Sequence, residues 1–126
     1  MIRIDNIYYS KSELKHAFRV YLQQLKPDCN EKTISTYVGD SMFVLNSLPE
    51  ISQETVLSSF EWNDNIKERI IDYLIRDALA MRVQPRKDAL GYIRAFHFFF
   101  DFVQVVRLVD KARVRKPREV FTDGAT

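Results

Sequence analysis

The chain of 126 residues is long enough for one domain with its own core, and 46% hydrophobic with 29% charged residues exclude a largely disordered protein. Only three glycines and four prolines argue against a β-rich fold with many tight turns. The net charge of +2 is uneven, because residues 1–60 hold six Lys or Arg against seven Asp or Glu, whereas residues 82–118 hold ten against three. This asymmetry favours either a nucleic-acid or other acidic partner or a solvated basic tail.

The first quarter of the chain predicts an arm followed by a helix. Residues 1–9 alternate loosely between apolar and polar side chains, which predicts an extended arm that can dock on the core. Ser10 with Glu13 three residues later is a capping box, in which each side chain binds a backbone N–H that the helix leaves free. Pro27 and Asp28 end this helix. Its apolar residues recur at amphipathic spacing and are Leu14, Ala17, Phe18, Tyr21, Leu22 and Leu25.

The second helix is predicted to begin after Asn30, a strong N-cap residue, and to end before Pro49. Its apolar stripe is predicted to be buried and comprises Ile34, Tyr37, Val38, Leu45 and Leu48. The opposite side of this helix is predicted to face solvent or a ligand and comprises Lys32, Ser35, Thr36, Gly39 and Asp40.

A short third helix is predicted from Ser52 to Phe60 and a fourth from Asp64 to Met81, with Trp62 in the turn between them. The pattern leaves open whether these are two helices or one bent element. The face of the fourth helix that is predicted to be buried comprises Ile66, Ile70, Leu74, Ala78 and Met81, widened by Ile71 and Ile75.

The fifth helix, predicted from Pro85 to Asp110, is the most informative segment, because five phenylalanines fall between Phe96 and Phe102. The stripe predicted to face the core comprises Tyr92, Phe96, Phe99, Phe100 and Val103. Phe98, Phe102 and Val105 or Val106 are predicted to point elsewhere. This helix therefore either lies at the centre of an all-α domain or leaves aromatic surface for a partner.

The segment after the fifth helix crowds five positive charges into eight residues, namely Lys111, Arg113, Arg115, Lys116 and Arg118. Pro117 is predicted to end any helix, and the last six residues are predicted to be unstructured. The sequence therefore predicts an arm (1–9), a helical domain (10–112) and a basic tail or linker (113–126).

Residue types that carry chemistry are sparse. Cys29, the sole cysteine, cannot form an internal disulfide, which favours a reducing, cytoplasmic setting. His16 and His97 lie on different predicted helices without a ligand partner at helical spacing, and the sequence holds no phosphate-binding glycine loop. Asp101 and Gln104 help His97 to interrupt the Phe-rich run, so we predict no membrane span. We predict neither an enzyme nor a cofactor.

Two polar seams point to a binding surface. Gly39 lies in the middle of the polar side of the second helix. Gly91 lies in the middle of a polar seam of the fifth helix, which also comprises Arg86, Lys87, Arg94 and His97. A glycine inside a helix costs on the order of 1 kcal/mol relative to alanine, a cost that is tolerated where a second backbone or a phosphate approaches closely. Either the two helices cross at these glycines, or the seams contact DNA through the hydroxyls and cations around them, and the two interpretations are compatible.

Three helices together carry a family resemblance. Its residues are Phe18 and Leu22, then Thr33-Ile34-x-x-Tyr37, then Ala89-Leu90-x-Tyr92-Ile93-Arg94-Ala95-Phe96-x-Phe98-Phe99. Over about residues 12–110 this pattern resembles the N-terminal core-binding domain of tyrosine recombinases, the phage-integrase family. The resemblance implies a small orthogonal, SAM-like bundle of four to five helices. The chain departs from the family in lacking the usual Asn-Pro turn after the last helix and the catalytic domain with its Arg, His and Tyr.

The resemblance implies a non-catalytic DNA-binding module of integrase type, which clamps duplex DNA together with a C-terminal catalytic domain and can form homo-oligomers on DNA. By analogy, together with the basic tail, the DNA-contacting residues are expected to be Lys32, Ser35, Thr36, Arg86, Lys87, Arg94, His97, Arg113, Arg115, Lys116 and Arg118. The rival hypothesis is a helical protein-interaction domain that uses the aromatic surface around Phe98 and Phe102.

Overall fold

The computed structural model describes the backbone of residues 1–125 and the side chains of residues 1–111. Within this range the chain forms a two-stranded sheet and five α-helices, one of which continues into a π-helix. In chain order the elements are β1 (Ile2–Ile4), β2 (Ile7–Tyr9), α1 (Lys11–Leu25), α2 (Glu31–Ser47), α3 (Glu50–Ser58), α4 (Asp64–Tyr73), the π-helix (Leu74–Ala78) and α5 (Pro85–Ala125). The prediction of a small all-α bundle is confirmed.

The N-termini of α1 and α2 are fixed by the predicted caps. Ser10 Oγ accepts a hydrogen bond from the backbone N of Glu13 at 3.1 Å, and the Glu13 carboxylate accepts one from the backbone N of Ser10 at 2.9 Å. The hydrogen bond from the Ser10 backbone has the larger effect on the pKa of Glu13, and the Ser10 side chain has the smaller one. Both lower this pKa because they favour the ionised carboxylate. Asn30 Oδ1 accepts a hydrogen bond from the backbone N of Thr33 at 2.8 Å and begins α2. Both predicted helix starts are confirmed.

The first nine residues form a hairpin. β1 and β2 pair antiparallel with Ile4 opposite Ile7, and Asp5 in the turn has a φ of 51°, in the left-handed region that tight hairpin turns require. Ile4 is fully buried, and Asn6 donates from its backbone N and its Nδ2 to Asp110 Oδ2 at 3.4 and 3.3 Å. The predicted docking on the core is confirmed. The predicted extended conformation is confirmed for both strands, but the sequence analysis did not predict that they fold back on each other at Asp5 and Asn6, residue types that tolerate such a turn.

The core is built around α5. Phe96 and Phe99 are fully buried, with ring centroids 5.3 Å apart. Phe99 meets Phe18 of α1 edge-on, with centroids 5.2 Å apart and planes at 88°, a favourable aromatic geometry. The predicted core stripe of this helix is confirmed except at Tyr92, which is half-buried.

The aromatic surface predicted on the remaining sides of α5 is covered. Phe102 is only 5% exposed and packs against Phe18 and Tyr21 of α1, with centroids 5.5 and 5.6 Å apart. Val106 is also buried, and Phe98 is half-buried against Tyr37 of α2. The prediction that Phe102 points away from the core was wrong, because α1 covers a second side of this helix. Of the two valines, Val105 is the one that is exposed, as the prediction allowed.

The third and fourth helices are separate elements joined by residues 59–63. α3 begins and ends two residues earlier than predicted, at Glu50 and Ser58. Asn63 Oδ1 accepts a hydrogen bond from the backbone N of Ile66 at 3.0 Å, which begins α4 at the predicted place. The third and fourth helices are therefore two distinct helices and not one bent element, a point that the sequence left open.

The π-helix shifts the helical repeat at the end of α4. The backbone N of Leu79 donates to the carbonyl of Leu74, five residues earlier, at 2.7 Å. Such a wide turn adds one residue to the repeat, so the next core position falls one residue later. Leu79 is consequently fully buried, whereas Ala78 and Met81 are exposed. The predicted buried face is right as far as Leu74 and wrong for these two residues.

α5 spans 41 residues, about 60 Å, and its backbone remains helical through Pro117 into the predicted tail. The predicted end at Pro117 was wrong, because a proline removes one helical hydrogen bond without necessarily ending the helix. Pro85–Lys111 is long and apolar enough to cross a membrane, by length and composition only. Half of its most apolar window is buried inside the bundle, as in the central helix of a folded domain, and the absence of a membrane span stays a prediction.

Candidate nucleic-acid interface

α2 and α5 lie side by side and run antiparallel. Tyr37 of α2 contacts Phe98 of α5 with ring centroids 5.3 Å apart, and Phe43 stacks on Tyr92 with centroids 4.6 Å apart. As residue numbers rise along α2, those of the contacting residues on α5 fall. The C-terminal half of α2 therefore lies beside the N-terminal part of α5, where both predicted polar seams have their glycine.

A shallow cleft of about 460 Å³ lies at this junction. Its lining residues come from α2, from α5 and from the loop before α5, and are Asp40, Arg82, Lys87, Asp88, Gly91, Tyr92 and Arg94. Two predicted contact residues, Lys87 and Arg94, are thus brought together. Sequence reasoning left out Arg82, although its position three residues before Pro85, at the start of a basic helix, was a usable signal.

Two of the three cations in the cleft form no ion pair among the described side chains. Arg82 Nη1 lies 3.3 Å from Asp88 Oδ2, an ion pair between two exposed groups. Among the side chains that the structure describes, no ion pair or hydrogen bond engages the Lys87 or Arg94 side chain, and both residues are exposed. Such cations are available to neutralise an anion without first breaking an internal contact.

Lys32 lies on a stripe of α2 that leads to the cleft. Thr36 and Phe43 share this stripe at helical spacing, and Phe43 stacks on Tyr92, which lines the cleft. The stripe is about 17 Å long between its ends. Lys32 is exposed and has no ion pair among the described side chains. Ser35 is exposed beside the stripe, and Thr36 Oγ1 donates to the Lys32 carbonyl at 3.0 Å, which leaves its oxygen free to accept.

Both mid-helix glycines face open space. Gly39 and Gly91 are exposed, and a Cβ placed on either would meet no heavy atom within 4 Å. The interpretation that these glycines let α2 and α5 cross closely was therefore wrong. The two helices contact each other through aromatic rings, and the backbone at both glycines is accessible to a ligand.

Besides Lys32, Ser35 and Thr36 on the stripe of α2, two further predicted contact residues, Arg86 and His97, lie outside the cleft. Arg86 Nη2 lies 3.1 Å from Glu68 Oε1 of α4, so its charge is partly compensated. The His97 ring stacks on Trp62, with centroids 5.0 Å apart and planes at 11°, and its Nε2 lies 3.9 Å from Asp101 Oδ1. Neither Arg86 nor His97 lines the cleft, so the structure does not bring them together with Lys87 and Arg94.

Asp40 introduces a negative charge into the cleft. Burial raises the pKa of its carboxyl group, and no cation pairs with it among the described side chains. A carboxylate here repels a phosphate, although it can accept a hydrogen bond from a base amino group. The sequence placed Asp40 on the polar side of its helix but gave no sign that it would line the same cleft as Arg94.

The remaining predicted contact residues, Arg113, Arg115, Lys116 and Arg118, lie outside the residues whose side chains the structure describes. Only the seven contact residues predicted in α2 and in the first part of α5 therefore have side chains that the structure describes. In residues 1–111, no group of three or more His, Cys, Asp or Glu is placed to hold a metal ion.

No family model, no curated protein and no solved structure matches this chain.

Proposed function

We propose that this chain is a non-catalytic module that binds duplex DNA through the cleft between α2 and α5. The observation that carries the proposal is that Lys87 and Arg94, which form no ion pair among the described side chains, line one cleft beside the exposed backbone of Gly91. Cations on a rigid helix neutralise phosphates and release counterions, which is the main source of affinity for DNA.

The distance between Lys32 and the cleft matches several nucleotides of a DNA strand. Lys32 lies about 17 Å along α2 from the residue that stacks beside the cleft. Measured along the duplex axis, each strand carries one phosphate per 3.4 Å, so a line of this length parallel to the axis spans about five nucleotides. The hydroxyls of Ser35 and Thr36 border it, and such groups commonly position a protein on the DNA backbone.

The resemblance to recombinase core-binding domains supports the same surface, because it assigns DNA contact to these two helices. On that analogy the module supplies affinity and register in the cytoplasm, while bond breaking belongs to a C-terminal catalytic domain of the recombinase. Duplex DNA, such a domain and further copies of the chain on the same DNA are the expected partners.

The test is a fluorescence-anisotropy titration of a generic duplex at about 50 and 200 mM salt. We expect the wild-type affinity to fall by a decade or more over this range, since about six phosphate contacts give a steep salt dependence. Lys87→Glu with Arg94→Glu is expected to weaken binding at low salt on the order of 100-fold and to reduce the logarithmic salt slope by about two.

The control is Lys11→Glu with Lys15→Glu on α1, which changes the net charge equally at exposed residues outside the cleft. We expect this variant to retain at least a third of the wild-type affinity and both variants to keep the wild-type melting temperature within a few degrees. Equal losses of affinity in the two variants would show that binding follows net charge alone and would contradict the proposed cleft.

Removing the negative charge of the cleft is expected to strengthen DNA binding. For Asp40→Asn we expect roughly a 3- to 10-fold gain at low salt, because a carboxylate about 6 Å from a phosphate repels it weakly through water. Wild-type binding is expected to strengthen as pH falls through the raised pKa of Asp40, since protonation removes the same charge. Titrations at a series of pH values downward from about 7.5 check this, and an Asp40→Asn variant that keeps the full wild-type pH dependence would contradict it.

A strip of exposed apolar residues on α5 supports a modified form of the protein-interaction hypothesis. Val105, Leu108 and Val109 are exposed at helical spacing on α5, whereas the aromatic residues of the original hypothesis are covered. This strip favours a helix-pairing partner as the second candidate function. Wild-type protein that fails to bind duplex at low salt, or binds it without salt dependence, would favour this candidate over DNA.

A further inference from the structure

The loop between the π-helix and α5 presents two apolar side chains to solvent beside the cleft. Met81 and Val83 are each 97% exposed. Burial of such side chains stabilises folded proteins, and here both are withheld from the core. Neither side chain is packed in the core, so both are available to a partner without cost to the fold.

This loop is held at both ends. At its start, Leu79 is fully buried, and its backbone N donates to the Leu74 carbonyl at 2.7 Å. The backbone N of Arg82 donates to the Leu79 carbonyl at 3.0 Å, and its side chain pairs with Asp88 of α5 at 3.3 Å. At its end, the Gln84 carbonyl accepts from the backbone N of Asp88 at 3.1 Å. The loop is therefore a supported turn that projects two apolar tips.

The surroundings of these tips identify the partner chemistry. Arg82 lies between Met81 and Val83 in the chain and also lines the cleft with Lys87 and Arg94. An apolar pair flanked by cations suits a polyanion with an apolar interior. Duplex DNA has this character, because charged phosphates surround stacked bases, and proteins insert Met, Leu or Phe wedges between base steps.

We propose that Met81 and Val83 form a wedge that enters the duplex and kinks it when the cleft engages the phosphates. This inference rests on the proposed function and adds deformation of the DNA to it. Wedge insertion unstacks a base step, so it is easiest at flexible pyrimidine–purine steps and hardest in stiff A-tracts. The chain would then prefer flexible sequences without reading base edges.

The test uses the full chain and two end-labelled duplexes of equal length, one with a central TA step and one with a central A-tract. Energy transfer between the labels reports bending, and anisotropy reports affinity. We expect the wild type to raise energy transfer in the TA duplex. Met81→Ser with Val83→Ser is expected to abolish this rise and to bind the TA duplex roughly 10-fold more weakly, with less than about a twofold change on the A-tract.

The matched control is Ile51→Ser with Leu25→Ser, two exposed apolar residues that do not line the cleft. This variant is expected to bend and bind like the wild type. All four substitutions are at exposed positions, so unchanged melting temperatures are expected throughout.

The outcomes separate this inference from the proposed function. If Lys87→Glu with Arg94→Glu lowers affinity while the Met81 and Val83 variant bends and binds normally, the wedge is refuted and DNA binding stands. If the wild type binds neither duplex at low salt, both proposals fail. If the Met81 and Val83 variant instead loses binding to vesicles of phosphatidylserine and phosphatidylcholine, and the duplex is not bent, the loop belongs to a membrane contact and the wedge is refuted.

Discussion

Replacing Phe99 by alanine is expected to lower the free energy of unfolding by about 3–5 kcal/mol. Its ring is fully buried at the centre of the core and contacts the rings of Phe18, Phe96 and Phe102, with centroids 5.2 to 5.9 Å apart. The variant loses both the transfer free energy of the ring and its contacts with three neighbouring rings. Since small domains have about 5–15 kcal/mol of stability, this single change is expected to remove a large part of it.

Urea denaturation followed by circular dichroism measures the effect as a shift of the midpoint. Phe60→Ala is the matched control, because the same ring is removed from a side chain that is 69% exposed. Phe60 lies under the charged groups of Arg107 and Lys111, at 5.0 and 5.6 Å from its ring centroid, so we expect a loss of about 0.5–1 kcal/mol there. If Phe99→Ala costs no more than Phe60→Ala, Phe99 is not at the centre of the core.

Features that depend on neighbouring residues were predictable from sequence. The capping box of Ser10 and the N-cap of Asn30 each involve groups within three residues, and both lie where the sequence places them. The main core stripe of α5 was also predictable, because a helix with regular repeat turns the same face to the core along its length. Phe96 and Phe99 follow that rule.

Features that depend on distant residues or on an irregular repeat were not predictable. Leu79 replaces Ala78 in the core because the π-helix adds one residue to the repeat, whereas the prediction assumed a constant one. Phe102 is covered because α1 packs on a second side of α5, which no pattern within α5 reveals.

The candidate site shows the same division. The sequence identified Lys87 and Arg94 as exposed cations of one helix, and the structure has both residues lining one cleft. The sequence did not distinguish these two residues from Arg86, which lies on the same helix but forms an ion pair with Glu68 of α4. Asp40 entered the cleft unforeseen because its neighbours are about 50 residues away in the chain. Helix periodicity predicts on which side of its helix a residue lies, but not which charged residue of another helix lies opposite it.

Arg107 is the most informative of the residues that the sequence did not single out. Its side chain is only 3% exposed, although it lies on α5 among residues that alternate between the core and solvent. It donates to the carbonyl of Ser59 and, at 3.2 Å, to Gln104 Oε1, and its Nε lies 3.7 Å from Asp5 Oδ1. Burial lowers the pKa of this guanidinium, and the charge of Asp5 opposes that shift. One side chain thus ties the hairpin turn and the loop after α3 to the central helix.

Removing this side chain is expected to cost about 2–4 kcal/mol in Arg107→Ala, because the variant loses charge-assisted hydrogen bonds and the packing of a long stem. Arg107→Met is expected to cost only about 1 kcal/mol, since it keeps the stem and Gln104 Nε2 still donates to the Ser59 carbonyl at 3.0 Å. Urea midpoints of the two variants separate packing from charge. If Met and Ala cost the same, the guanidinium itself holds the junction together.

Arg107→Lys tests the electrostatic part of the same argument. A lysine ammonium cannot reproduce the planar fork, and burial disfavours its charged form more than Asp5 favours it, so we expect its pKa to be lower in the folded than in the unfolded state. The unfolded chain then binds more protons than the folded one, and the stability of this variant is expected to rise with pH between about 7 and 10. The wild type has no such rise from this residue, because a guanidinium stays protonated over that range. Stability of Arg107→Lys that does not change with pH relative to the wild type would mean that the buried cation is solvated well enough to stand alone. The hairpin would then be held to α5 by the burial of Ile4 and by Asp110 rather than by this charge.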